Sequence, residues 1–314
     1  MKYSGIGGQA VMEGVMMRNG RNYAVAVRRP DHEIDVKVEE NKATLFDEKW
    51  NKIPLIRGVL SFIDSLVLGM STLMYSASFF EDEEPEKAEK DPAKKERAEK
   101  ALMGGTVVFS IILAVAIFIL LPYYLSQVFQ RFVTENANIV AVFEGVLRLV
   151  IFIAYIVLIS RMEDIQRVFM YHGAEHKCIN CIEHGLDLTV ENVRGCSKEH
   201  KRCGTSFLVF VVVISIILYL FIRVDSHVLR VVIRLLLIPV IAGLSYELLR
   251  LAGRTDNRVV QILSKPGLWM QRLTVREPDD EMIEVGIASV EAVFDWRTFV
   301  EEVRGEERSD ARTE

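Results

Sequence analysis

The chain has 314 residues, half of them hydrophobic, and a formal net charge of −5. So small an excess of charge gives no ground for nucleic-acid binding. The apolar residues are gathered in long runs with the charges between them, which is the segregation of a bilayer protein rather than of a globular one.

Residues 1–12 contain no apolar core of a signal peptide, so cleavage there is not expected. Residues 1–53 predict a small β-rich segment. Gly5, Gly7, Gly8 and Gly14 surround a short apolar stretch, and residues 23–28 and 33–38 nearly alternate on either side of Pro30 and Asp31, the pattern of a hairpin. Residues 54–80 are apolar and helical in pattern, but Arg57 and Asp64 interrupt them, which favours an interfacial or re-entrant helix. Residues 81–103 are a Glu/Lys-rich linker.

Four strong spans follow at 104–128, 139–160, 205–224 and 228–249, each long enough to cross a hydrocarbon core of ~30 Å at ~1.5 Å per residue. Short connectors at 129–138 and 225–227 make them two hairpins, 104–160 and 205–250. The expected fold is therefore mainly α, with four transmembrane helices, the β-rich segment and the interfacial helix. The 161–204 loop carries Arg161, Arg167, Lys177, Arg194, Lys198, Lys201 and Arg202. The 251–314 segment, with a helix from Asp280, starts with Arg254, Arg258 and Lys265 just after Arg250. The opposite side has Arg131, with Arg223 and Arg230 near helix ends. The positive-inside rule puts the loop and both termini in the cytoplasm of a bacterial inner membrane. A reducing cytosol then argues for free thiols.

That loop gathers the chemistry. It holds His172, His176, His184 and His200, four of the six histidines, and all four cysteines, Cys178, Cys181, Cys196 and Cys203. Residues 172–176 read H-x-x-E-H, the inverted zincin spacing. On a helix, positions i and i+4 share a face, so His172 and His176 can reach one metal ion. Glu175 beside them can polarise a metal-bound water as a catalytic base. Gly173 is a poor helix residue, by up to ~1 kcal/mol against Ala. His200 and Cys203 complete a closed His₃Cys site, or leave an open position if one of the four drops out. Cys178-x-x-Cys181 and Cys196 offer alternative ligands. The plain alternative is a set of ordinary polar residues in a juxtamembrane loop.

Charges also sit inside the spans. Glu144 and Arg148 are one turn apart in the second, and Arg234 lies at similar depth in the fourth. In lipid they should face the bundle and pair, as an ion-pair clamp or as a polar pathway or headgroup contact. Arg230 is placed to snorkel to the interface. Glu247 near the end of the fourth span is a carboxylate ligand or a partner of Arg250 or Arg254.

Four segments, 7–18 (GGQAVMEGVMMR), 171–177 (YHGAEHK), 202–208 (RCGTSFL) and 272–280 (RLTVREPDD), make the chain resemble the YqhQ-like bacterial membrane proteins. That is a family of unknown function described as predicted metal-dependent enzymes, and the resemblance runs over nearly the whole chain. It implies four spans with the motif loop between the second and third. It singles out His172, Glu175, His176, His200 and Cys203, and it lowers Cys178, Cys181 and Cys196 as ligands. The segment with Glu13 and Arg18 should dock near the loop, its glycines allowing close backbone approach.

The expectation is a metal-dependent membrane enzyme, a zinc hydrolase acting at the cytoplasmic leaflet. Zinc, or iron or another divalent metal, is the expected cofactor. Membrane lipids and a lipid-linked or membrane-protein substrate are the expected partners. The alternative is a scaffold or assembly factor with a structural zinc, and a transporter resting on Glu144, Arg148 and Arg234 comes third.

Overall fold

The small and β-branched residues between 7 and 40 fold as a four-stranded antiparallel meander, β1 (Gly7–Val11), β2 (Gly14–Asn19), β3 (Asn22–Arg28) and β4 (Ile34–Glu40), in the order β1-β2-β3-β4. The expected hairpin around Pro30 is β3–β4, with Arg28 paired to Ile34. A second hairpin, β1–β2, turns at Met12 and Glu13, Glu13 taking a φ of 50°. The computed structural model describes residues 2–41, 50–80, 92–222, 224, 226–252 and 258–310. The expected linker lies outside them up to residue 91, as do Arg223 and Arg254.

The chain divides into two compact units. The first comprises Met1–Phe80, Leu158–Phe210 and Ala242–Glu314. Its helices are α1 (Ile56–Ala77), the 21-residue α5 (Glu163–Glu183), α6 (Val190–Gly195), α10 (Arg258–Thr274), α11 (Asp280–Val293) and α12 (Trp296–Asp310). It also takes in the start of α7 (Gly204–Leu220) and most of α9 (Ile238–Ala252). The central strands are apolar on both faces because both are covered. One face, with Val15, Met17 and Ala26, packs on Tyr171, Ala174 and Ile182 of α5 and on Met282 and Ile283 of α11. The other face, with Val11, Met16 and Val25, packs on Leu68 of α1. Asp279 caps α11 by accepting the Met282 N–H at 2.8 Å.

Helix α1 turns its small and polar side inward. Gly58, Asp64, Gly69, Thr72 and Ser76 are buried, whereas Leu66, Val67 and Met70 are exposed. Asp64 accepts hydrogen bonds from Arg18 at 2.6 Å and Asn41 at 2.8 Å. The missing Cβ of Gly58 lets α1 approach Gly243 of α9, where a Cβ would stand 3.0 Å from the backbone. Close packing through small residues with large apolar residues outward is what a helix facing lipid needs.

The second unit comprises Glu81–Val157 and Val211–Ile241. It contains α2 (Pro92–Val115), a π-helical turn (Ala116–Leu120), α3 (Leu121–Phe132), most of α4 (Ala137–Ile159), the rest of α7, and α8 (His227–Leu236). Pro122 explains the π turn. It has no N–H for the carbonyl four residues back, that of Phe118, and its ring crowds it. Phe118 O instead accepts from Arg148 Nε at 3.2 Å.

Among the described residues, four helical segments are long and apolar enough to cross a membrane: Ile56–Ala77, Gly104–Phe132, Ala137–Ile159 and His227–Ala252. The set differs from the expected spans. The 54–80 region supplies a helix of full spanning length, and the expected 205–224 span is a helix of only 17 residues. Its last turn tightens, with Phe221 and Ile222 bonding to carbonyls three residues back.

Candidate metal centre

The H-x-x-E-H segment is helical, so His172, Glu175 and His176 project from one face of α5, and the two imidazole centroids lie 4.4 Å apart. Cys203, in the turn before α7, completes the group. One ligand atom from each of His172, His176 and Cys203 lies within 4.8 Å of the others. His172 Nε2 and Cys203 Sγ are 3.2 Å apart.

The surroundings fix which imidazole nitrogen is free. His172 Nδ1 stands 3.1 Å from Thr274 O and His176 Nδ1 stands 2.6 Å from Lys198 O. A carbonyl can only accept, so each Nδ1 carries a proton, and in the neutral tautomer this selects, Nε2 is the nitrogen that faces the centre with its lone pair. The Cys203 sulfur accepts the Thr205 N–H at 3.3 Å.

Glu175 Oε2 lies 3.8 Å from His172 Nε2 and 3.9 Å from His176 Nε2. Its other oxygen accepts the Gly8 N–H at 3.1 Å. Burial pushes the Glu175 carboxyl up, opposed by His172, the Gly8 amide and Arg202. Gly8 has to be glycine, because a Cβ there would fall 2.8 Å from Glu175 Cγ and 2.6 Å from Met16 O. Glu13 of the same segment also docks on α5, pairing with Arg167 and accepting from Tyr171 Oη at 3.2 Å, whereas Arg18 turns to Asp64 of α1.

The other expected residues are placed elsewhere. His200 lies next to the group, its ring centroid 5.6 Å from that of His176, but its Nε2 faces Glu183 Oε2 at 3.6 Å. Gln271 holds it at two points, accepting the His200 N–H at 2.9 Å and donating to His200 O at 2.8 Å. Cys178 packs under Gly286 of α11, and burial raises its thiol. Cys181 is 3.4 Å from Asp187 O, and Cys196 is 3.2 Å from Asn192 O. His184 ends α5 with its Nδ1 2.7 Å from Asn180 O. Glu247 is engaged by Arg57 through both oxygens, one at 2.6 Å from Arg57 Nε.

A model of the family described as a protein of unknown function (DUF1385) matches residues 53–296. The chain belongs to that family. It is similar to the uncharacterized protein YqhQ of Bacillus subtilis, with 37% identity over 287 residues, 90% of each chain. No solved structure matches it. The family model spans α5, Cys203 and Thr274, and the contacts that Gly8 and Glu13 make with α5 come from outside it.

Glu183 and Gln271 are residues that spacing did not reveal. Burial would raise the Glu183 carboxyl, but His200, Arg202 and Ser4 outweigh it and hold it down to about 2. Ser4 contributes its N–H at 2.9 Å and its hydroxyl at 2.7 Å. The folded value lies below that of a free Glu, ~4.3, so this stabilisation is complete above that value and is lost as pH falls through about 2. Glu183→Gln should therefore flatten the fall of the unfolding temperature across that acid window. The comparison with wild type is made in chelator, and two parallel curves would refute the assignment.

Proposed function

We propose that the chain is a metal-dependent protein of the bacterial inner membrane, with zinc held by His172, His176 and Cys203 and Glu175 acting beside it as the base of a hydrolase. The reading rests on the convergence of two imidazole nitrogens and one sulfur, with a buried carboxyl facing both imidazoles. The residues fit the ion. Tetrahedral zinc with Zn–N of about 2.05 Å and Zn–S of about 2.3 Å separates its N and S ligands by roughly 3.6 Å. The 3.2 Å between His172 and Cys203 is a few tenths of an ångström shorter. The two imidazoles and one thiolate are donors suited to zinc.

Zinc bound there supplies Lewis acidity and lowers the pKa of a coordinated water. The chain's own residues do the rest. The carbonyls of Thr274 and Lys198 hold both rings in the productive tautomer. The Gly8 amide fixes Glu175 Oε1 and leaves Oε2 to take a proton. The His172 side chain, 19% exposed, is the side from which a reactant enters. Positive loop charges support a centre at the cytoplasmic leaflet, which suits a lipid-linked or membrane-protein substrate.

A second reading has an observation of its own. Glu175, His176 and Cys203 are all buried, and the group joins β1, α5, the 198–203 segment and the end of α10. That is what a structural zinc clamp in a scaffold protein would do. Glu175→Gln separates the two. Glutamine still accepts the Gly8 N–H, so the base reading predicts full zinc content with loss of complementation in a deletion strain. Loss of zinc in that variant makes Glu175 a ligand and favours the clamp. Wild-type protein purified without stoichiometric transition metal would sink both.

A further inference from the structure

The second unit holds a buried charge cluster that the metal centre does not use. Glu144 accepts from Arg148 Nη2 at 2.8 Å and from Arg234 Nη2 at 2.8 Å, and Arg234 Nη1 lies 2.7 Å from the same carboxylate. A cavity of about 270 Å³ opens beside it, lined by Glu144, Arg148, Arg230, Arg234, Gln127 and Gln130 among others. The described lining thus has three guanidiniums and one carboxylate.

The guanidiniums are not equally occupied. Arg148 is fully engaged, by Phe118 O, Ser215 and Glu144. Arg230 gives both Nε, at 3.1 Å, and Nη2, at 2.5 Å, to Val224 O. Arg234 is only 4% exposed, and its Nε has no hydrogen-bond partner among the described residues. An unpaired guanidinium donor at membrane depth is costly unless something pairs with it. Tyr123 and Tyr219 stack on Arg234, at 4.6 and 5.0 Å from ring centroid to guanidinium carbon. They hold it in place but supply no acceptor for Nε.

We infer that this cavity binds one phosphate group, held by Arg234 and Arg230 with the amides of Gln127 and Gln130. Guanidinium planes match phosphate oxygens in pairs, and the bound anion would balance the excess positive charge. The group can belong to a phospholipid headgroup or be free phosphate.

The test uses the full chain purified in a neutral maltoside detergent, titrated calorimetrically with inorganic phosphate and separately with dihexanoyl phosphatidylglycerol. Saturable binding of either probe is expected. Phosphate binding assigns the site to a free anion, and binding of the lipid alone assigns it to a headgroup. Arg234→Gln and Arg230→Gln should each weaken binding at least tenfold. Glu144→Gln should tighten it severalfold, because the competing carboxylate is gone. Arg230→Gln leaves the Glu144 pairs intact, so it decides the matter if Arg234→Gln does not fold. No saturable binding of either probe, or folded Glu144→Gln protein that binds more weakly, overturns the inference.

Discussion

Replacing His176 with alanine is expected to empty the proposed metal centre and to cost more stability than the same change at His172. His176 is 1% exposed, and its Nδ1–H meets Lys198 O at 2.6 Å. Its loss leaves that carbonyl without its partner, a penalty of ~1–3 kcal/mol, and opens a cavity against Glu175. The damage spreads along the chain, because Lys198 belongs to the segment that delivers Cys203. One substitution thus removes one ligand and loosens a second. His172 sits at the exposed edge and bonds Thr274 O at a longer 3.1 Å, so its removal leaves the backbone of the 198–203 segment held by His176. Metal content by mass spectrometry should fall from one per chain to near zero in His176→Ala, and the unfolding temperature should stop responding to added zinc, since a ligand raises stability only where it binds the folded state. Full metal content in His176→Ala would place the ion elsewhere.

The order of these effects was only partly readable from the residue spacing. That His172, Glu175 and His176 share a face follows from helical periodicity alone, and the structure places them so. Which of His200 and Cys203 turns inward does not follow, because the 196–203 segment has no regular period. The choice is made by Glu183 and Gln271, which come from other parts of the chain and hold His200 away. The sheet shows the same division. Alternation around Pro30 marks β3 and β4, whereas β2 reads as a continuous apolar run because α1 and α11 cover both of its faces. In α1 the interruption by Arg57 and Asp64 was legible, but not its consequence. The charged residues mark the inward face, pairing with Glu247 and Arg18, and apolar residues such as Leu66, Val67 and Met70 are left exposed.

Gly173→Ala is expected to destabilise, although helix propensity alone predicts the opposite sign. In an exposed helix the change would gain up to ~1 kcal/mol. Here the stretch after α10 lies directly on α5, Arg276 N–H bonding to Phe169 O at 2.9 Å. A Cβ on residue 173 would stand 2.0 Å from Arg276 O and 3.2 Å from Pro278 Cδ. The obstacle at 2.0 Å is backbone, so relief requires moving the whole 274–278 stretch by about 1 Å or more, and overpacking of this kind costs roughly 3 kcal/mol. At ~2–4 °C per kcal/mol for chains of this size class, the unfolding temperature should drop by roughly 6–12 °C. The same displacement draws Thr274 O away from His172 Nδ1. Loss of such an orienting contact lowers metal affinity by ~10–100-fold, so Gly173→Ala should also bind zinc more weakly while keeping every proposed ligand. Gly305→Ala in α12 is the matched control, because nothing lies within 4 Å of its added Cβ. It should leave the unfolding temperature unchanged or slightly raised. If Gly173→Ala behaves like Gly305→Ala, the close approach of the 274–278 backbone to α5 is wrong, and with it the account of how His172 is held.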